Sequence, residues 1–269
     1  MQIHSAVRTK ILSAITLLSC VGFGLWAAGP KPVPRLDGST IRPADIDSTV
    51  TRLTHNAEVT GVGIAILNHG KIAYMKAWGF RDKEHGLPLT VASVMTGASF
   101  TKTAFAYLAM KLVDQGRLDL DKPVERYFPK PLPEYPAYAD LAGDPRYKRI
   151  TARMLLSHTA GFPNVRAMNR DRKLNINFDP GSRFAYSGEG IQLLQLVIET
   201  ITGRPLQQLM HEPVFQPLNM TRTSMVTEGR FEGDYANAYD EWGRSLGHQN
   251  RKTANARPNW ARTKTTPAT

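Results

Sequence analysis

Gly61-Val62-Gly63-Ile64-Ala65-Ile66-Leu67 and Lys71-Ile72-Ala73-Tyr74-Met75-Lys76-Ala77-Trp78 are two β-like runs separated by Asn68-His69-Gly70, a pattern that predicts an antiparallel hairpin. Ahead of them, Ala44 to Val59 reads as a first helix. From Ser99 the period changes. Ala104, Phe105, Leu108, Ala109, Leu112 and Val113 recur at steps of three and four and mark an apolar helical stripe ending at Gly116, where a glycine suits the end of a helix. Residues 118–149 are rich in proline, tyrosine and charge and predict an irregular excursion. Further helices are expected near 151–158, 189–202 (Ile191, Leu194, Val197, Ile198) and 205–216. No internal repeat is present.

Ser99-Phe100-Thr101-Lys102 opens the apolar stripe. On a helix, a hydroxyl and an amine three residues apart share one face. A serine hydroxyl is a poor nucleophile at neutral pH and needs a base beside it, and a lysine whose pKa is lowered by burial or a nearby cation can take the proton. The helix dipole favours alkoxide-like charge near Ser99, while a low dielectric disfavours the charged form of Lys102. The spacing alone is a weak signal, since chance supplies about 0.6 Ser-x-x-Lys pairs in a chain of this composition. Its bland reading is an N-cap serine followed by a solvated lysine.

The 269 residues and 42% hydrophobic content suffice for one large domain or two small ones with a substantial core, and exclude a disordered protein. The single cysteine, Cys20, lies in an N-terminal apolar run, so the body forms no internal disulfide and no thiolate zinc site. The seven histidines make no HExxH or comparable cluster. Neither a metal nor a cofactor is expected.

Residues 1–28 read as a targeting segment. Arg8 and Lys10 form a basic region, Ile11 to Trp26 an apolar one, and Ala27-Ala28 offers small residues near a cleavage point. Export to the periplasm or cell envelope is the expected fate, in one of three forms: a cleaved signal peptide, a membrane anchor, or lipidation at Cys20 in Leu17-Leu18-Ser19-Cys20. Gly29-Pro30-Lys31-Pro32-Val33-Pro34 begins a proline-rich linker over 29–42, extended in character, and the body starts at Pro43.

The net charge of +11 invites a nucleic-acid reading. However, residues 1–42 hold five basic and one acidic residue, and residues 242–269 hold six basic and none acidic, which leaves +1 for residues 43–241. The excess sits at the ends, so no nucleic-acid partner is expected, and residues 256–269 read as a disordered basic tail.

Three further segments, taken in order with Ser-x-x-Lys, resemble the serine β-lactamase and penicillin-binding-protein superfamily, in particular its class C-like, esterase-containing branch. Leu118-Asp119-Leu120-Asp121-Lys122-Pro123-Val124 resembles the family's connector after the nucleophile helix. Leu155-Leu156-Ser157-His158-Thr159-Ala160-Gly161 is close to its Leu-Leu-Ser-His-Thr-Ser-Gly segment, and Pro217-Leu218-Asn219-Met220 to its Pro-Leu-Gly-Met turn. The resemblance covers residues 43–255. It implies that Ser99 forms an acyl-enzyme with Lys102 as general base, and that His158, in a helix-to-loop corner, is structural.

The family's second motif is Tyr-x-Asn, and Phe184-Ala185-Tyr186-Ser187-Gly188 precedes a helix in the matching order. Tyr186 is thereby implied to share or relay the proton and return it to the leaving group. Gly188 departs from the family's asparagine and removes an amide that would contact the lysine and a substrate carbonyl. The departure weakens the case for penicillin-type recognition and leaves ester or small-amide turnover. The third motif, a Lys or His followed by a small residue and glycine on a strand, is not found: Lys252-Thr253-Ala254 imitates the letters, but its flanks lack a strand pattern. The chain is therefore expected to stop before the last strands of the sheet, and one oxyanion donor with them, a loss of about 3 kcal/mol in the transition state.

The fold class expected from the resemblance is α/β, in the α+β sense and β-lactamase/transpeptidase-like: an antiparallel sheet seeded by the hairpin and flanked by helices, plus a mostly helical lobe over 99–216 and a cleft exposing Ser99. The expected function is an exported serine hydrolase, acting as a monomer on ester, β-lactam or D-amino-acid peptide substrates, either small molecules or peptidoglycan-like. Membrane association would come only through the N-terminal segment. The alternative is a catalytically inactive remnant or cell-envelope binding protein with the same fold. An α/β-hydrolase is disfavoured, because Gly97-Ala98-Ser99-Phe100-Thr101 fails the last glycine of GxSxG.

Overall fold

The prolines that suggested a linker are partly built into the protein. In the computed structural model, which describes residues 31–248, β1 (Val33–Pro34) and β2 (Thr40–Ile41) pair antiparallel. Val33 is 1% exposed. Residues 33–41 thus form a paired ribbon in which Val33, the branched apolar side chain between the prolines, finds cover while residues 34–40 stay exposed. The targeting segment, the Lys252-Thr253-Ala254 letters and the basic tail lie outside the described residues.

α1 (Pro43–Asn56) begins with proline at its first turn, where the missing N–H costs nothing. It ends three residues before Val59, as Glu58 takes a positive φ of 52° and turns the chain into β3 (Gly61–Asn68). β3 pairs with β4 (Lys71–Asp82) from Asn68↔Lys71 to Gly61↔Gly79. The two residues between them, His69 and Gly70, both have positive φ, 48° and 72°, as a turn matching the strand twist requires. β5 (Leu87–Pro88) adds to β4, giving the antiparallel order β3-β4-β5, and among the described residues no strand pairs with the other edge of β3. Asp47 ties α1 to this sheet by accepting from the Tyr74 hydroxyl and, at 2.6 Å, from Lys76 Nζ.

The helical lobe starts with a 3-10 turn over Ala98–Phe100 that runs into α2 (Thr101–Asp114). The predicted stripe is its buried face: Phe105, Leu108, Ala109 and Leu112. The excursion over 118–149 is irregular in backbone, as expected, with 3-10 turns at Val124–Tyr127, Leu132–Glu134, Pro136–Leu141 and Pro145–Arg149. It is nonetheless part of the core. Val124, Leu132, Tyr138, Leu141, Tyr147 and Ile150 join one apolar cluster with α2, α3 (Ala152–Leu156), α4 (Gly188–Thr202) and α5 (Leu206–Met210). Prolines prevent regular helix there without preventing burial.

The helix expected over 205–216 is divided. α5 gives way to a π-turn at His211–Phe215 that contains Pro213, whose ring nitrogen cannot donate. β6 (Ala238–Tyr239) and β7 (Ser245–Gly247) form a separate ribbon. The Tyr239 hydroxyl accepts from the Lys83 N–H at 2.7 Å, which joins this region to the end of β4.

Candidate active site

The turn before α2 is bent by Ala98, whose φ of 40° lies in the left-handed region. A residue with a Cβ pays about 1–2 kcal/mol there, and the next residue is Ser99. Lys102 follows one turn on, and its Nζ donates to Ser99 Oγ at 3.1 Å. From the loop before α4 the Tyr186 hydroxyl donates to the same Oγ at 2.8 Å. Lys102 Nζ lies 5.1 Å from the centroid of the Tyr186 ring. The three residues singled out from the sequence thus converge on one oxygen.

Ser99 and Tyr186 are exposed and Lys102 is half-buried, so this is an open site rather than the low-dielectric one expected at the start of a buried helix. The Lys102 ammonium, and next the Ser99 hydroxyl, hold the Tyr186 phenol below the usual phenol range.

Tyr186 is aimed by its neighbours. Ser187 is buried, caps α4 by accepting from the Gly190 N–H at 2.8 Å, and donates its hydroxyl proton to the Pro163 carbonyl at 2.9 Å. Its own N–H donates to His158 Nδ1 at 3.2 Å, so that nitrogen carries no proton. His158 sits at φ 58° just beyond α3. Its ring lies 4.6 Å from that of Tyr186 and meets Phe184 edge-on at 6.0 Å. Burial first, and then the Lys102 cation, push the imidazole below its ordinary pKa. The corner position of His158 was legible in the sequence, but its contact with Tyr186 was not.

Two further pairs escaped sequence reasoning. Glu189, buried in the first turn of α4, accepts from the Arg166 N–H at 2.9 Å and from the Arg166 guanidinium at 2.7 Å. This pair fastens the loop after Gly161 to the N-terminus of α4, where a carboxylate also suits the dipole. An acid in the first turn of an apolar helix was the available signal. The other pair explains the departure at Gly188. The Gly188 N–H donates to both Asn164 O and Asn164 Oδ1, each at 3.1 Å, and a Cβ at 188 would stand 2.7 Å from Asn164 O. An asparagine at 188 cannot be accommodated without moving that backbone. Among the described residues no group of His, Cys, Asp or Glu is gathered so that it could hold a metal ion.

The Beta-lactamase family model matches residues 46–268. The chain belongs to that family. Its relatives include Esterase EstB of Burkholderia gladioli, 29% identical over 219 residues that cover 71% of this chain and 53% of the esterase. A D-aminopeptidase of Brucella anthropi is 26% identical over 188 residues, 68% of this chain and 36% of that enzyme. Among solved structures, EstCE1, described as a hydrolase with promiscuous acyltransferase activity, superposes with a TM-score of 0.62 at 26% identity, over 76% of this chain and 58% of EstCE1. The octameric penicillin-binding protein homologue from Pyrococcus abyssi gives 0.59 at 25% identity, over 76% and 50%. The α/β architecture of the family is therefore that of this chain, and relatives in it are named as esterases and peptidases. The chain spans about half the length of the curated relatives it matches.

Proposed function

We propose that this member of the Beta-lactamase family is an exported serine hydrolase that turns over esters or small amides through an acyl-enzyme on Ser99. The observation that carries the reading is the convergence of the Lys102 amine and the Tyr186 hydroxyl on Ser99 Oγ, at 3.1 and 2.8 Å. A hydroxyl so placed has a proton acceptor at hand and a site open to substrate. In acylation the Ser99 proton passes to the base, Oγ bonds to the substrate's carbonyl carbon, and the base returns the proton to the departing alcohol or amine. Water then attacks the acyl-enzyme, losing its proton to the same base, which gives it back to Ser99.

The resemblance assigns the base to Lys102. The Tyr186 hydroxyl, 2.8 Å from the same oxygen, offers a different division of labour, in which Tyr186 accepts the proton as phenolate and Lys102 remains the cation beside it. Either way the same three side chains carry the proton.

The test is intact-mass and peptide mass spectrometry of the chain after a fluorophosphonate, alongside Ser99→Ala. A single adduct on Ser99, absent in the variant, is expected. A folded chain that takes no adduct, or takes it elsewhere, overturns the reading and leaves a binding protein of the same fold.

A further inference from the structure

At the end of α2 remote from Ser99, the helical lobe has a cavity of about 320 Å³. Lys111, on its lining, lies nine residues along α2 from Lys102, about 14 Å at the rise of a helix. The cavity is therefore separate from the candidate active site. Its deep part is apolar: Leu108 and Leu112 of α2 and Leu209 of α5 are buried, and Pro213 of the π-turn after α5 joins them.

The rim is charged, and unevenly so. Lys111, Arg117 and Arg204 stand there with a single carboxylate, that of Glu212. Three cations against one carboxylate leave two positive charges in one place, whereas residues 43–241 as a whole carry +1. The excess is not a sample of a generally basic body. Arg204 is matched by Glu212 at 2.6 Å. Arg117 is exposed, and among the described residues its guanidinium makes one hydrogen bond, to the Ile201 carbonyl at 3.2 Å. The Lys111 ammonium rests 5.5 Å from the centroid of the exposed Tyr107 ring, a contact that is weak in solvent.

An apolar floor beneath unmatched cations suits a hydrocarbon chain that ends in an anion. The planar fork of Arg117 matches a carboxylate, and Glu212 on the same rim disfavours a second negative charge. Ligand pockets run from about 300 to 1,000 Å³, so this one takes a small molecule. We propose that the cavity binds an aliphatic monocarboxylate, its head group held by Arg117 and Lys111 and its chain lying on Leu108, Leu112 and Leu209. Nothing in this depends on Ser99 being a nucleophile.

The competing role is helix capping without a ligand. Lys111 stands in the last turn of α2 and Arg117 meets a carbonyl in the last turn of α4, where positive charge is stabilising by itself. The charge of the ligand separates the two. The purified full chain is titrated by NMR with hexanoate and with hexanamide, which keeps the hydrocarbon and loses the anion. Saturable binding of hexanoate is expected, at least tenfold tighter than that of hexanamide, and Arg117→Gln and Lys111→Gln should each weaken it about tenfold. Lys111→Gln leaves the Ile201 contact in place, so it decides the matter where Arg117→Gln fails to fold. A folded chain without saturable hexanoate binding overturns the proposal. So does equal affinity for hexanamide, or hexanoate binding that Lys111→Gln leaves unchanged, which would place the ligand elsewhere on the protein.

Discussion

Tyr186 donates its phenolic proton to Ser99 Oγ at 2.8 Å across 87 residues of chain, and His158 packs against the same ring from the other loop. The hydroxyl is the only atom of that side chain within reach of the serine oxygen by hydrogen bonding, so it can be removed without disturbing the ring. Tyr186→Phe is expected to slow acylation of Ser99 by about 10²–10⁴-fold, the usual weight of a positioned acid–base group. Its thermal transition should stay where it is. Stopped-flow acylation with an activated ester reads the first quantity and differential scanning calorimetry the second. A rate equal to that of the unmodified chain would reduce Tyr186 to a packing residue.

Lys102 touches both partners, and its substitution separates a base from a fixed charge. Arginine keeps a cation beside Tyr186 and cannot give up its proton in a protein, whereas methionine keeps only the stem. With the phenolate as acceptor, Lys102→Arg retains measurably more acylation rate than Lys102→Met. Equal and near-complete loss in both would return the base role to the Lys102 amine.

His158 makes stability depend on pH. Burial and the Lys102 cation depress its pKa in the folded chain below the ordinary 6.5. As the pH falls, the unfolded chain takes up this proton first, so stability that is full above 6.5 is lost as the pH drops through the depressed value. Lys102 is the charged group facing the imidazole, and a proton there would also end the acceptance of the Ser187 N–H at Nδ1. Asparagine tolerates a positive φ and offers an oxygen to the same N–H. His158→Asn should therefore flatten the pH dependence of the urea midpoint between about pH 7 and pH 5. An unchanged slope would mean that other groups dominate it.

What was legible in the sequence is what neighbours in the chain decide. The hairpin is announced by alternation and by His69-Gly70, and the buried face of α2 by the spacing of Phe105, Leu108, Ala109 and Leu112. Ser99 and Lys102 are a local pair as well, and Tyr186 was reached through the resemblance. Burial of Tyr138 and Leu141 was not legible, because in a proline-broken stretch no period marks an inward face; their cover comes from the apolar cluster that distant parts of the chain build together. Asn164 is in the same position. A polar residue after Pro163 looks like any turn residue until the Gly188 N–H is beside it.

The Arg166–Glu189 pair offers the sharpest test of how the site is held. Glu189 keeps 6% of its side-chain surface and Arg166 keeps 24%, and Arg166 also donates to the Ala137 carbonyl. Arg166→Met would leave the Glu189 carboxylate buried without its cation and is expected to cost about 3–5 kcal/mol, because desolvation of the remaining charge is no longer offset. In a chain of this size that corresponds to a fall of roughly 6–20 °C in Tm. The loop carrying Asn164 would loosen with it, so Ser99 acylation should fall as well. Pairing the change with Glu189→Gln removes the stranded charge, and the double variant should recover much of the lost stability. Additive losses in the double-mutant cycle would argue that the two side chains act separately, despite the 2.7 Å between their charged groups.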